Sequence, residues 1–182
     1  MSADAGWHPP PRSAQARVDR PVPACLARLG EVVTRREIWR RAGLTVVLTN
    51  GCFDLLHVGH ARYLAAAAAL GHRLIVALND DPSARILKGP GRPIVALADR
   101  AALLCALRAV DVVVPFGEPT AVGVVSALAP DVYVKGGDYG PDAHRPPEAD
   151  VAEACGARVV FVPYVTGHST TELIARVRRL ER

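Results

Sequence analysis

Two histidines lie three residues apart where a predicted strand leads into a predicted helix. His57 and His60, with Gly59 between them, have the spacing that places both imidazoles on one helix face, one turn apart. The helix N-terminus adds free N–H groups and the positive end of its dipole. Imidazoles in this position can bind a polyphosphate and stabilise charge that develops in phosphoryl transfer, and glycine lets the backbone approach a phosphate. The alternative is a pair of ordinary surface histidines.

Lysine is nearly absent from this arginine-rich chain, and its two lysines stand beside glycines in predicted turns. They are Lys88 in LKGPG and Lys135 in VKGGD. A chain with this bias is expected to keep lysine where a compact, mobile charge is needed. Lys88 is predicted to contact the α- or β-phosphate, and Lys135 to face a crevice at the end of its strand. Either could instead be a solvated turn residue. Arg92 and Arg100 are further candidate phosphate ligands, unless Arg100 only occupies the first turn of its helix.

The last predicted helix begins with three consecutive hydroxyls, at Ser169, Thr170 and Thr171. Ser169 and Glu172 have the pattern of a capping box, which is sufficient to explain both of them. The two threonines are left unexplained, and hydroxyls at a helix N-terminus are good phosphate ligands. The segment is therefore predicted to complete a phosphate site, with a simple helix cap as the alternative.

Two acidic residues, Asp54 and Asp138, stand in or next to these motifs. A substrate phosphate is already an anion at neutral pH, so a transfer reaction of this kind needs little general-base catalysis. Asp54 is assigned a positioning role on the substrate, and Asp138 a substrate-binding or metal-linked role. Asp138 could equally form the turn in GGDY. No residue is predicted to ligate a metal directly.

A regular alternation of strands and helices must position these residues. Short aliphatic and β-branched runs alternate with helical patterns, which is typical of a parallel sheet covered on both faces. We therefore predict an α/β fold, a Rossmann-like doubly wound sheet of about five strands in a single domain, with its ligand at the carboxyl end of the first strand. A first helix is predicted from the capping pair Thr34 and Glu37, ending at Gly43. The predicted strands are 45–49, 73–78, 110–114, 131–134 and 158–162, and the later helices are 58–70, 99–107, 119–128, 148–155 and 169–180.

Composition bounds the environment of the 182-residue chain. Residues 1–24 are rich in proline and are predicted to be a disordered or loosely packed arm, with the folded domain spanning 25–182. The net charge of +4 is that of a solvated surface, and no basic run is interleaved with aromatics, so no nucleic-acid partner is expected. No apolar run is long enough for a membrane span, and no secretion signal is visible, so a cytoplasmic location is expected.

The spacing of the cysteines also bears on the cellular compartment. The four cysteines are widely scattered, without a C-x-x-C pair or a histidine at zinc spacing. They are expected to be free, mostly buried thiols in a reducing compartment. They are Cys25, Cys52, Cys105 and Cys155.

An ordered set of motifs resembles a known family. The string from His57 to His60 matches the H-x-G-H signature of the cytidylyltransferase-like nucleotidyltransferases, and TNGCFDLLHVGHARYL resembles the heptose 1-phosphate adenylyltransferase family. The later segments LKGPGRP (87–93), KGGDY (135–139) and GHSTTELI (167–174) follow in the same order. The resemblance extends over about residues 30 to 180, which implies that 25–182 is a nucleotidyltransferase domain.

This resemblance implies a reaction and a set of site residues. ATP, with Mg²⁺, and a heptose 1-phosphate would give ADP-heptose and pyrophosphate. His57, His60 and Lys88 would be the catalytic residues, and Asp54 and Asp138 would bind the sugar phosphate. The nucleotide would be bound by Asn50, Gly51, Cys52, Phe53, Gly59, Arg92, Lys135, Gly136, Ser169, Thr170 and Thr171.

Several alternatives stay open at this point. The segment GPDAHRPP (140–147) departs from the family pattern beside the expected substrate side, which leaves the acceptor undetermined. The family's kinase partner domain is not in the sequence, so a stand-alone transferase is expected, as a monomer or a homodimer. Other readings are a cytidylyltransferase acting on glycerol phosphate or another small phosphate, and a regulatory module that binds nucleotide without turnover.

Overall fold

The computed structural model describes residues 25–136, 145–163 and 170–180, where helices alternate with strands. The predicted arm 1–24 and the site residues Asp138 and Ser169 lie outside the described residues. The helices are α1 (Leu29–Arg41), α2 (Val58–Ala69), α3 (Asp81–Lys88), α4 (Leu97–Ala106), α5 (Val122–Leu128), α6 (Pro147–Ala154) and α7 (Thr170–Leu180). The strands are β1 (Val46–Gly51), β2 (Arg73–Asn79), β3 (Val112–Phe116), β4 (Val132–Gly136) and β5 (Arg158–Val162).

The strands form one parallel sheet in the order β3-β2-β1-β4-β5. In the centre, Leu48 of β1 pairs with Ile75 of β2 on one side and with Tyr133 of β4 on the other. The chain builds outward from β1 in one direction, then returns to its other side with β4. The loops after β1 and β4 therefore diverge and open a crevice at the carboxyl end of the sheet. The predicted doubly wound α/β fold is confirmed.

Both faces of the sheet are buried, as the aliphatic strands predict. Successive residues of β1 point to opposite faces, so that Val46 and Leu48 belong to one buried cluster and Val47 to the other. The first cluster takes in α1, α5 and α6, and the second takes in α2 and α4. Each fully buried aliphatic side chain contributes about 1.5 to 3 kcal/mol, and this double layer gives the crevice a rigid floor.

Helix α3 is an element that the sequence analysis missed. Asp80 caps it by accepting a hydrogen bond from the Ser83 N–H at 2.8 Å, and Pro82 lies in the first turn. Both are ordinary start signals, but the helix is too short for a clear periodic pattern. Lys88 is therefore the last residue of a helix and does not lie within a turn. The turn begins at Gly89, whose φ of +89° is suited to glycine.

The first helix begins earlier than predicted. Its start is at Leu29, where the Arg28 N–H donates to the Glu31 carboxylate at 2.9 Å. Thr34 lies inside the helix and donates its hydroxyl to the Gly30 carbonyl, so the Thr34–Glu37 capping box was wrong. The predicted stop at Gly43 agrees with its φ of +68° immediately after the helix.

The prediction of four free, mostly buried thiols was wrong for two of them, which are bonded to each other, while a third is free but exposed. Cys25 and Cys105 form a disulfide across a sequence separation of 80 residues, and Cys155 is exposed at the end of α6. Cys52 is free and buried as expected. The pairing depends on a tertiary approach: a bridge between Leu26 and Val113 of β3 lays the segment that contains Cys25 along the edge of the sheet. No helix in the described ranges is long and apolar enough to cross a membrane.

Candidate active site

The histidine pair lies at the carboxyl end of β1 and begins helix α2. His57 is the N-cap residue, with extended backbone, and its N–H approaches His60 Nδ1 at 3.4 Å. The two rings stack with centroids 3.9 Å apart. Phe53 packs its ring against His60, 5.3 Å between centroids, from a left-handed backbone with φ of 45°. The capping geometry and the phenyl ring together hold both imidazoles in place on the helix start.

His60 is a neutral imidazole at pH 7. Burial is the main cause, and the charges of His57 and Lys88 add to it, so that its pKa falls from 6.5 to about 4. A neutral ring has one donor and one acceptor nitrogen. Because Nδ1 faces the His57 N–H as an acceptor, the proton is assigned to Nε2. His60 therefore offers the site an N–H donor without a charge of its own.

A cleft of about 590 Å³ surrounds the pair and is lined by every predicted site residue that the structure describes, with the exception of Arg100. The lining comes from residues that follow all five strands and from the starts of α2, α6 and α7, all at the same end of the sheet. Lys88 and Lys135 reach it from opposite sides, on α3 and β4. The predicted residues in the lining are Asn50, Gly51, Cys52, Phe53, Asp54, His57, Gly59, His60, Lys88, Arg92, Lys135, Gly136, Thr170 and Thr171.

Asp54 holds the loop before α4 against the histidine motif. It is buried, and its carboxylate accepts hydrogen bonds from the N–H groups of Ile94 and Val95 at 2.8 and 2.9 Å and from Arg92. Burial opposes ionisation, but the two backbone donors and Arg92 outweigh it and lower the pKa of Asp54 below its ordinary value. Both oxygens of this carboxylate are engaged, so Asp54 positions the Arg92 loop; a direct role on substrate stays a prediction.

Arg100 does not reach the phosphate region. It is fully buried in the first turn of α4. Its Nη1 donates to the carbonyls of Cys52 at 2.6 Å and Asn79 at 2.8 Å, and its Nη2 pairs with Asp81. The reading of Arg100 as a phosphate ligand was wrong, because its guanidinium ties together the ends of β1 and β2. It is a structural support of the motif loop that sequence position alone could not identify.

The floor of the cleft carries a hydrogen-bonded network centred on Asn50. Its Oδ1 accepts from the Tyr133 hydroxyl at 2.6 Å and from Lys135 Nζ at 3.0 Å, while its Nδ2 donates to Glu148 at 3.3 Å. Burial lowers the pKa of Lys135, and the Glu148 carboxylate acts in the opposite direction. Sequence reasoning missed Tyr133 because it resembles an ordinary core residue of a strand. It missed Glu148 because an acid is common at a helix start.

Tyr63 closes the cleft floor beside β4. Its hydroxyl pairs with Thr49 at 2.6 Å and donates to the Val134 carbonyl at 3.1 Å, and burial raises its pKa. A Cβ added at Gly136 would lie 2.6 Å from the Tyr63 ring, so only glycine fits there. Gly136 thus lets the end of β4 lie close against the Tyr63 ring.

Cys52 is a buried thiol whose pKa is raised. Desolvation is the main cause, and the nearby charges of Lys88, Arg100 and Lys135 offset only part of it. A thiol held in its neutral form is a poor nucleophile, so Cys52 shapes the cleft wall and does not point to covalent catalysis.

The described part of the cleft does not fit a protein-built magnesium site. Within residues 25–136, 145–163 and 170–180, no group of three or more His, Cys, Asp or Glu side chains could hold a metal ion. Asp54 is engaged with three donors, and Glu148 accepts from Asn50 and from the Ala121 N–H. These hydrogen bonds compete with the oxygen coordination that Mg²⁺ would need from either carboxylate.

Comparison with known proteins places this site in a family. The family model described as cytidylyltransferase-like matches residues 48–176, which include the histidine motif and the start of α7. A solved structure, the lipopolysaccharide core biosynthesis protein from Thermoplasma volcanium, is similar with a TM-score of 0.54 and 30% identity, covering 68% of this chain and 98% of that chain.

Curated relatives named bifunctional protein HldE are similar over most of this chain. The protein from Halorhodospira halophila is 46% identical over 178 residues, which is 98% of this chain and 35% of that protein. The protein from Gluconacetobacter diazotrophicus is 50% identical over 152 residues, 84% of this chain and 30% of that protein. This chain therefore spans about a third of the length of these relatives.

Proposed function

Because this chain belongs to the cytidylyltransferase-like family of nucleotidyltransferases, we propose that it transfers AMP from ATP to a sugar 1-phosphate, with a heptose 1-phosphate as the acceptor. The products would be an ADP-sugar and pyrophosphate. The heptose assignment is supported by the similarity to the HldE proteins and by the motif set that resembles heptose 1-phosphate adenylyltransferases. The similarity of the fold to a lipopolysaccharide core biosynthesis protein agrees with a sugar-linked acceptor.

The observation that carries the proposal is the pairing of a neutral donor with cationic side chains in one cleft. His60 supplies an N–H donor, and Lys88, Lys135 and Arg92 line the same cavity. The described carboxylates in the lining, Asp54 and Glu148, accept hydrogen bonds from protein groups. The Cys52 thiol is held in its neutral form by its raised pKa. Such a site favours an anionic ligand and charge stabilisation over nucleophilic or general-base catalysis.

The mechanism that follows is a direct, in-line transfer. An oxygen of the acceptor phosphate attacks the α-phosphorus of ATP, the bond to the β-phosphate oxygen breaks, and pyrophosphate leaves with that electron pair. No covalent enzyme intermediate is needed. His57 and His60 donate hydrogen bonds to the triphosphate, and Lys88 compensates charge on the leaving phosphates. Catalysis is then positioning plus electrostatic stabilisation, as in other phosphoryl-type transfers.

Magnesium enters this proposal only as the companion of ATP. When bound with the triphosphate, it would neutralise part of the phosphate charge. The steps assigned to His60 and Lys88 do not pass through it.

One observation supports a second candidate for the nucleotide substrate. The matching family model is described as cytidylyltransferase-like, so CTP is the alternative donor, with glycerol phosphate or another small phosphate as acceptor.

Pyrophosphate release tests both candidates in one experiment. The purified chain is supplied with ATP or CTP at matched concentration, together with heptose 1-phosphate, a hexose 1-phosphate or glycerol 3-phosphate. We expect release with ATP and heptose 1-phosphate to exceed the other combinations. Preference for CTP with glycerol 3-phosphate would replace the proposal by the alternative. Tight nucleotide binding without release for any pair would indicate a regulatory module.

A further inference from the structure

A buried acid in the cleft has no part in the proposed chemistry. Glu148 is 4% exposed, lies in the first turn of α6 and lines the cleft. Burying a carboxylate costs free energy unless hydrogen bonds and opposite charges compensate for it. The partners of Glu148 therefore indicate what its position achieves.

One oxygen of Glu148 joins three elements. Its Oε1 accepts from the Ala121 N–H at 2.9 Å and from Asn50 Nδ2 at 3.3 Å. Ala121 is the N-cap of α5, and Asn50 lies near the end of β1. The carboxylate thus fixes the side-chain amide of Asn50 relative to two helix starts.

The orientation of the Asn50 amide determines which of its two polar groups the Lys135 ammonium contacts. With Nδ2 held by Glu148, Oδ1 points the other way and accepts from the Lys135 ammonium at 3.0 Å and the Tyr133 hydroxyl at 2.6 Å. A flipped amide would present its NH₂ group to the ammonium, which is itself only a donor. Because an ionised carboxylate only accepts hydrogen bonds, Glu148 stabilises the orientation that receives Lys135.

We propose that Glu148 is a positioning residue that, through Asn50, holds the Lys135 ammonium at the carboxyl end of β4 for binding the anionic substrate. This inference rests on the proposed function, since it assigns Lys135 to the bound nucleotide. It adds to that function a residue outside the histidine, LKG and KGG motifs, in the first turn of helix α6.

The charges around Lys135 also support a role for Glu148 in keeping this lysine protonated. Burial lowers the pKa of Lys135, and the charge of Lys88 on α3 lowers it further, whereas Glu148 on α6 and Cys52 after β1 raise it. Removing the negative charge of Glu148 therefore favours loss of the Lys135 proton. Glu148 has two effects on this lysine, one through the Asn50 amide and one through its charge.

A purely structural role for Glu148 is the competing explanation, since it also ties α6 to α5. That role would change the melting temperature without changing the state of Lys135. The chain offers a clean probe, because Lys88 and Lys135 are its only lysines. Each lysine-containing peptide then reports on one residue.

The first test measures the acylation of both lysines against pH, by mass spectrometry, in the full chain. Glu148→Gln keeps the size of the side chain and removes its charge. Glu153→Gln is the matched control, on the same helix but at an exposed carboxylate paired with Arg145. We expect the labelling midpoint of Lys135 to move to lower pH in Glu148→Gln and to stay unchanged in Glu153→Gln, with Lys88 as internal reference. An unchanged Lys135 midpoint in folded Glu148→Gln would overturn the proposal.

The second test is a double-mutant cycle on kcat/KM for ATP. Glu148→Ala is expected to lower it about 10- to 100-fold, the range for losing a hydrogen bond to a charged group. In a Lys135→Met background, Glu148→Ala should lower kcat/KM for ATP at most about 3-fold, because the lysine through which Glu148 acts is absent. Losses that multiply in full would contradict action through Lys135. The labelling needs no turnover, so an inactive wild-type chain would refute the proposed function, and Lys135 labelling would still decide the role of Glu148.

Discussion

At the scale of single residues, the site depends on charge states that burial and hydrogen-bond donors set. His60 is neutral because it is buried beside His57 and Lys88, and Asp54 is ionised because three donors surround it. A neutral imidazole keeps one N–H that can donate to a phosphate, although the ring carries no charge. The neighbouring cations can then supply the charge, so donor and charge come from different side chains.

Replacing His60 should impair the reaction and leave the fold intact. We expect His60→Ala to lower kcat at least ~100-fold, by analogy with loss of one preorganised donor to a developing oxyanion. Pyrophosphate release measures the rate, and circular dichroism checks the fold. His72→Ala is the matched control, because His72 lies in the exposed turn before β2 and outside the cleft. A kcat within a few-fold of wild type in His60→Ala would contradict the assignment.

The titration of His60 provides a second check at the same scale. In the free protein its pKa is about 4, against 6.5 for the ordinary side chain. The unfolded chain therefore binds more protons between these values, and this group's contribution to stability is lost as the pH falls through that window. A bound triphosphate favours the imidazolium, so ATP should raise the pKa. NMR of the ring protons measures both values, and a free-protein midpoint near 6.5 would contradict the buried environment.

Some site residues are recognisable from short sequence motifs, whereas others are recognisable only from their contacts in the fold. The histidine pair, Lys88 and Lys135 were predicted from short motifs, and the structure brings them into one cleft. Arg100 was misread and Glu148 was missed, since their partners are backbone and amide groups on other elements. No sequence pattern encodes an interaction between groups that only the tertiary fold brings together.

At the scale of elements, short segments that sequence patterns describe poorly position the site. Helix α3 carries Lys88 to the cleft edge, and the loop after it is fastened by Asp54. The five strands were predicted because parallel, doubly buried strands are nearly continuous aliphatic runs. Boundaries were less accurate, because caps such as Glu31 on the Arg28 N–H compete with equally plausible pairs nearby.

The disulfide makes a testable contribution at this scale. It joins Cys25 to Cys105 of α4 over 80 residues, and closing a loop of that size restricts the unfolded chain. We expect Cys25→Ser to lower the free energy of unfolding by about 2 to 4 kcal/mol, as measured by urea denaturation of oxidised protein.

Reduction provides the control for this prediction. A reducing agent should destabilise the wild-type chain to a similar extent and have little effect on Cys25→Ser, which has no bond to lose. Equal stability of the oxidised and reduced wild-type proteins would show that the disulfide contributes nothing to folding.

At the scale of the whole molecule, one rigid sheet with two buried faces supports a cleft at its carboxyl edge. The fold class and the position of the cleft were predicted from strand–helix alternation, since the crossover rule leaves few topologies. The acceptor could not be predicted in the same way, because it depends on loop side chains that the sheet topology does not determine. The oligomeric state and the compartment stay predictions.

The N-terminal arm offers a prediction about the whole chain. Residues 1–24 have a proline-rich composition that cannot form a core. A chain that begins at residue 25, and so keeps Cys25, should have nearly the same melting temperature and the same kcat/KM as the full chain. Calorimetry and pyrophosphate release measure the two quantities. A large loss of either would show that the arm docks onto the domain or onto a second copy.

The central claim is that this cleft joins the α-phosphate of ATP to a sugar 1-phosphate. It is tested most directly with ATP radiolabelled at the α-phosphate and heptose 1-phosphate, by following label into the nucleotide-sugar. We predict label in an ADP-sugar with the wild-type chain and, within the same time, at least ~100-fold less with His60→Ala. Absence of labelled ADP-sugar with the folded wild-type chain, or equal transfer by His60→Ala, would contradict the account.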